Sequence, residues 1–320
     1  MTSQAHGGPA NVYYGGQAVI EGVMIRGPEH MAVAVRHPKG HIVTHAERLG
    51  GVYTGRARRW PLVRGCIVLW ETMALGMRAL SFSSRIALEE EDEHGEAVDF
   101  PEKVFWGSMV LALLFVIGIF FAAPVLLSNL LELVDANRLT IVVVEGIVRL
   151  GLFVGYIWGI GLIPDIRRVF QYHGAEHMTI HAYEHGSPLT PDGVRSYPKE
   201  HTRCGTSFLL VVVVIALLVH VAFDYFVDEG LLIRVLSRLA LIIPIAAVSY
   251  EVLRFGARFG EHRLVKAMFA PNLALQALTT KVPDDSQIEV AIASFRATLR
   301  SAGMLDQEVV ETLEEAPPLG

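Results

Sequence analysis

The sequence predicts a mainly α integral membrane protein: four transmembrane helices, an interfacial amphipathic helix and a small cytosolic N-terminal β unit. Three observations carry that expectation. Of 320 residues, 52% are hydrophobic and 19% charged, and mean hydropathy is +0.41, more apolar than an ordinary soluble domain. Four stretches are long enough to cross about 30 Å of hydrocarbon, which takes roughly 20 mostly apolar residues each. Charge is also segregated. The net value is −6, yet residues 89–102 hold eight acids and no base, and residues 281–320 hold eight acids against three bases. The remaining body is therefore basic, which suits Lys and Arg retained at the edges of a lipid bilayer and gives no reason to expect direct nucleic-acid binding.

Taken in order, residues 1–60 form the expected β unit. The opening MTSQAHGGPANVYYGG has no basic start and no apolar core, so no cleaved leader is expected. QAVIEGVMIRG, MAVAVR and HIVTHAER are short apolar runs, and the turn HPKG between the last two reads as a hairpin. Its histidines, His30, His37, His41 and His45, suit a solvated strand face. Residues 61–88 form the amphipathic helix. Arg64, Glu71, Arg78 and Arg85 recur at seven-residue steps as one charged stripe on an otherwise apolar surface, the pattern of a helix that lies in the interface or packs along a bundle; at 28 residues the segment is also long enough to cross the bilayer, against which its four charges weigh. The acidic run at 89–103 is a solvated linker.

The first transmembrane pair occupies 104–164 (spans 104–131 and 140–164) and the second 207–250 (spans 207–227 and 231–250). A cytosolic His/Cys loop, 165–206, joins the pairs, and cytosolic helices and a tail follow at 251–320. Lys and Arg concentrate in 1–88, 165–206 and 251–281, whereas the connections at 132–139 and 228–230 carry one, Arg138. Both termini and the central loop are expected in the cytoplasm. The two cysteines, Cys66 and Cys204, stand in unlike contexts, which excludes a disulfide framework and favours a reduced compartment. The outer half of the bundle is unusually polar: Glu145 and Arg149 are spaced i,i+4, as are His220 and Asp224, and Arg234 and Arg238 enter the last span. A buried ion-pair network and an ion or proton path both fit these residues. No internal repeat or Gly/Pro-broken helix pair supports transport.

The loop carries the chemistry. PDIRRVFQYHGAEHMTIHAYEH places His173, Glu176 and His177 in H-x-x-E-H order. In that pattern two histidines one helical turn apart hold zinc, and the adjacent glutamate activates water. Further on, HTRCGTSF sets His201 and Cys204 three apart, both suited to zinc or another divalent metal. Binding by His173, His177, His201 and Cys204 together gives a closed structural site, while a position left to water gives a catalytic one. Glu251, in SYEVLR, is an alternative acidic third ligand. His181 and His185 continue the row at i+4 steps, so a histidine-rich interfacial helix without metal is the competing reading.

GGQAVIEGVMIRGP (15–28), RGCIVLWETMALGMRAL (64–80), FQYHGAEHMTIHAYE (170–184), HTRCGTSFL (201–209), SYEVLRF (249–255) and PNLALQALTTKVPDDSQIEVAIA (271–293) together resemble the YqhQ-like family. These are bacterial membrane proteins of unknown function, described as predicted metal-dependent enzymes. The resemblance implies a place in the bacterial cytoplasmic membrane and carries over Glu21, Glu71, His173, Glu176, His177, His201, Cys204 and Glu251 as candidate site residues. Met178 stands where the pattern HGAEHKT has lysine. The leading expectation is a metal-dependent hydrolase acting at the cytosolic membrane surface, on a lipid headgroup or a membrane-proximal peptide, with Glu176 as general base. The alternative is a scaffold or assembly factor that binds another membrane complex or itself, with a structural metal or none. Its support is the glycine-rich GGQAVIEGVMIRGP. Transport through Glu145 and Arg149 ranks behind both.

Overall fold

The structure, a computed structural model, describes residues 14–50, 55, 60–87, 102–130, 136–201, 204–227, 231–259, 262–305 and 313–315. The strands alternate in register with their sequence. β1 (Gly15–Val19), β2 (Gly22–Arg26), β3 (His30–Arg36) and β4 (Ile42–Arg48) pair antiparallel in chain order, and a short β5 (Leu313–Glu315) adds in parallel to β4. The HPKG hairpin forms as expected: the His37 N–H donates to the His41 carbonyl, and Gly40 takes φ +93°. The β1–β2 turn puts Glu21 at φ 50°, a conformation that a non-glycine residue keeps only when its surroundings hold it. Arg168 and the Tyr172 hydroxyl both bond its carboxylate.

The small N-terminal antiparallel sheet forms as expected, but it is buried on both faces and not solvated on one. Val23, Ile25 and Ala34 face one core with α11 (Asp285–Ser301) and α5 (Pro164–Glu184). Met24, Met31, Val33 and Val35 face the other, against Leu75, Ala79 and Phe82 of α1 (Val63–Ala87). α11 is thus a central element, packed between the sheet and α5. It starts at a capping box between Asp284 and Gln287, and the hydroxyls of Ser294 and Thr298 donate to the Ala32 and Ile25 carbonyls of the sheet.

Of the alternatives for α1, packing along the bundle has direct support, because three of the four members of its charged stripe meet protein partners: Arg64 pairs with Glu251, Glu71 with Arg26 of β2, and Arg78 with Glu47 of β4 at 2.8 Å. The first half of α1 packs on α9 (Ile242–Phe259), where a Cβ on Gly65 would lie 3.1 Å from the Ala247 Cα, and the second half packs on the sheet.

Among the described residues, three helical stretches are long and apolar enough to cross a membrane: Val63–Ala87, Trp106–Leu127 and Leu139–Ile160. Phe208–Phe223 is a shorter apolar helix. The span expected at 104–131 consists of α2 (Glu102–Ile117), a π-helical turn at Gly118–Ala122 and α3 (Ala123–Asn129). Pro124 has no N–H for the Phe120 carbonyl four residues back, and Arg149 of α4 (Arg138–Ile160) supplies the donor through Nε at 3.0 Å. The span expected at 231–250 is not one helix. It divides into α8 (Leu231–Ala240) and α9, since Pro244 likewise cannot bond the Ala240 carbonyl, and α9 then continues to Phe259.

The outer polar residues assemble into a buried network. Arg149 donates to Glu145 at 2.7 Å, Arg238 meets both oxygens of the same carboxylate at 3.2 and 3.0 Å, and His220 lies 3.2 Å from Arg149. Two guanidinium groups on one carboxylate hold α4 and α8 together, and His220 adds α7 (Gly205–Phe226). The side chains of Arg138, Asp224 and Arg234, the acidic linker up to Pro101, most of the tail and the connection at 228–230 lie outside the described residues.

Candidate metal centre

α5 begins with Pro164 at its first position and Asp165 in its first turn, both suited to a helix N-terminus. Its middle is buried because three neighbours close on it. Gly174 lets the Lys281 carbonyl approach so tightly that a Cβ there would lie 2.2 Å from the oxygen, while Gly16 of β1 packs on Glu176, where a Cβ would lie 2.8 Å from Cγ. The third neighbour is the chain before α7, which brings Cys204.

His173, His177 and Cys204 offer ligand atoms that all lie within 4.8 Å of one another. The histidines are oriented by backbone. His173 Nδ1 lies 2.9 Å from the Thr279 carbonyl at the end of α10 (Arg263–Thr279), and His177 Nδ1 lies 2.6 Å from the Lys199 carbonyl. A ring nitrogen facing a carbonyl must carry the proton, so both lone pairs sit on Nε2. His173 Nε2 is 3.2 Å from Cys204 Sγ, close to the roughly 3.3 to 3.6 Å expected between neighbouring ligands of a tetrahedral zinc ion. Glu176 completes the group: its Oε2 lies 3.9 Å from His173 Nε2 and 4.0 Å from His177 Nε2, and that buried oxygen has no hydrogen-bond partner among the described residues.

Burial sets the electrostatics. It pushes the Glu176 carboxyl up to about 7, against the opposing pull of His173 and the Gly16 N–H. Burial also lowers the His177 pKa, with contact to Cys204 pulling the other way, so the ring is neutral and ready to coordinate. The chemistry of the donor set fits a borderline divalent cation: two imidazoles, a thiol and a carboxylate oxygen that lacks a partner.

The other candidates are placed elsewhere. His201 is buried, its backbone clamped by Gln276, which accepts from its N–H at 2.9 Å and donates to its carbonyl at 2.8 Å. Its ring stands with His181 and Glu184 as a second group within 4.8 Å. Glu251 is held by Arg64 at 2.7 Å and by the Leu62 N–H at 3.1 Å, and it lines a 240 Å³ cavity with Arg254, Phe255, Arg258 and Phe259 that no residue of the His/Cys cluster touches. Glu21 and Glu71 pair with Arg168 and Arg26, and Glu145 and Arg149 belong to the outer network. Sequence reasoning missed the carbonyls of Thr279 and Lys199, Gln276 and Gly16. It also missed Glu184, although H-x-x-E occurs twice, at 173–176 and at 181–184.

Residues 60–301 match a family of proteins of unknown function, DUF1385. The chain is 35% identical over 305 residues to the uncharacterized protein YqhQ of Bacillus subtilis (strain 168), covering 92% of this chain and 94% of that protein. No solved structure matches it. With most of its length matched and its relative aligned nearly end to end, the chain belongs to the DUF1385 family.

Proposed function

We propose that the protein is a membrane-anchored, metal-dependent hydrolase whose metal is held by His173, His177 and Cys204, with Glu176 as general base. The observation that carries the reading is the buried, unpartnered Oε2 of Glu176 beside two imidazoles whose other nitrogens are fixed by backbone carbonyls. Three protein ligands with a carboxylate next to the open position is the catalytic form of a zinc site. A bound divalent metal supplies Lewis acidity and an acidified water. Glu176, lifted by burial toward neutrality, would accept the proton of the attacking water and return it to the leaving group.

A second reading has its own observation: Glu176, His177 and Cys204 are only 3%, 2% and 5% exposed. Such enclosure favours a structural ion in a scaffold protein, with Glu176 as fourth ligand. Elemental analysis of purified wild type, His177→Ala and Glu176→Gln tests both. Wild type is expected to carry about one tightly held zinc per chain and His177→Ala little of it. Glu176→Gln that keeps zinc but loses cellular function supports the hydrolase. Loss of zinc from Glu176→Gln supports the scaffold, and wild type that works without metal refutes both.

A further inference from the structure

We infer that His181, Glu184 and His201 form a second divalent-metal site, next to the Cys204 cluster and loaded separately from it. Their ligand atoms lie within 4.8 Å of one another, His201 Nε2 is 3.6 Å from Glu184 Oε2, and the His181 and His201 rings are 4.5 Å apart between centroids. Two imidazoles and a carboxylate make a His₂Glu set, which leaves room for water or an exogenous ligand.

Both histidines of the site are positioned by groups that do not take part in binding. His181 Nε2 donates to the Glu200 carbonyl at 2.9 Å, which leaves the ring's lone pair on Nδ1. His201 is carried by the backbone clamp from Gln276. Glu184 follows His181 at i+3 on α5 and is exposed, so it opens the site to solvent.

The two groups follow each other along one face of α5, with the His177 and His201 rings 5.6 Å apart. They differ in chemistry. The first has a thiol and is enclosed, while the second has only nitrogen and oxygen donors and is partly open. The second is therefore expected to bind zinc, nickel or cobalt(II) more weakly and to exchange faster.

Cobalt(II) titration of the full-length, metal-free protein in detergent separates the sites, because only the first places sulfur on the ion. Two equivalents are expected. The first gives a thiolate-to-cobalt charge-transfer band, and the second adds ligand-field absorption without it. Glu184→Gln and His181→Gln should each weaken the second equivalent at least tenfold and leave the thiolate band intact, whereas Cys204→Ser should remove the band and keep the second equivalent. Saturation of wild type by one band-forming equivalent overturns this inference and leaves the Cys204 site standing. Cobalt binding that lacks the band but depends on Glu184 supports the inference and sinks the Cys204 site. X-ray absorption of the second equivalent in wild type decides the matter without any variant, since a sulfur neighbour there refutes the assignment and a nitrogen and oxygen shell upholds it.

Discussion

Glu176→Gln should make the metal-free protein more stable at pH 8 and leave it nearly unchanged at pH 5. Burial raises the Glu176 pKa from 4.5 to about 7 in the folded state, so the folded chain binds this proton more tightly than the unfolded one. The group's stabilisation is fully present below pH 4.5 and is lost as pH rises through about 7, the reverse of the usual carboxylate. Fully ionised, the buried carboxylate costs about 3 kcal/mol. Glutamine keeps the shape and the acceptor oxygen for the Gly16 N–H without the charge. In a chain of this size about 3 kcal/mol corresponds to a rise of roughly 5 to 10 °C in Tm. Thermal unfolding of chelator-treated protein, followed by tryptophan fluorescence at pH 5 and pH 8, measures the difference between variant and wild type. Saturating zinc should reverse the order at pH 8, because the cation offsets the wild-type charge. If Glu176→Gln is no more stable than wild type at pH 8 without metal, the carboxylate is not the isolated buried charge described above.

Glu145→Gln should lower folding yield more than Arg149→Ala, because it removes the carboxylate that the buried Arg149 and Arg238 guanidinium groups share, whereas Arg149→Ala costs the donor to the Phe120 carbonyl but leaves the Glu145–Arg238 pair; size-exclusion profiles of both variants check the order. Gly174→Ala should destabilise by about 2 kcal/mol or more, because its Cβ would stand 2.2 Å from backbone that a side-chain rotation cannot clear, and the distorted Thr279–Lys281 turn should also weaken zinc retention. Reporters inserted at Thr190 and after Gly303 should report the same, cytoplasmic side of the membrane, because α5, the sheet and α11 share one core; opposite sides would refute that packing.

The sequence made local chemistry legible and long-range pairing obscure. H-x-x-E-H announced His173, Glu176 and His177 because i,i+4 spacing on one helix is a short-range fact. Cys204 was within reach because it shares the loop with them. His201 was offered with His173, His177 and Cys204 in one of two closures, whereas its ligand atom groups with His181 and Glu184: three residues of spacing does not say which way a ring faces, and the Gln276 clamp on its backbone lies 75 positions away. Glu251 looked like a ligand until Arg64, 187 positions distant, claimed its carboxylate. The same blindness affected α1, whose seven-residue stripe matches a surface helix and a helix with a line of ion-pair partners equally well. The division between α8 and α9 was legible in Pro244, but apolar composition outweighed it.

The parts that orient the metal centre come from Gly16, α5, the Lys199–Cys204 segment and Thr279, so the last contributor is made more than 260 residues after the first. A nascent chain cannot hold the ion in this geometry until its helices are seated and α10 has emerged. On the proposed reading metal capture would follow the seating of these parts, and occupancy would report that α5, the Lys199–Cys204 segment and the end of α10 are in place. Any truncation before residue 279 should yield a chain that inserts without acquiring its ion, which gives the cell a chemical distinction between finished and unfinished copies.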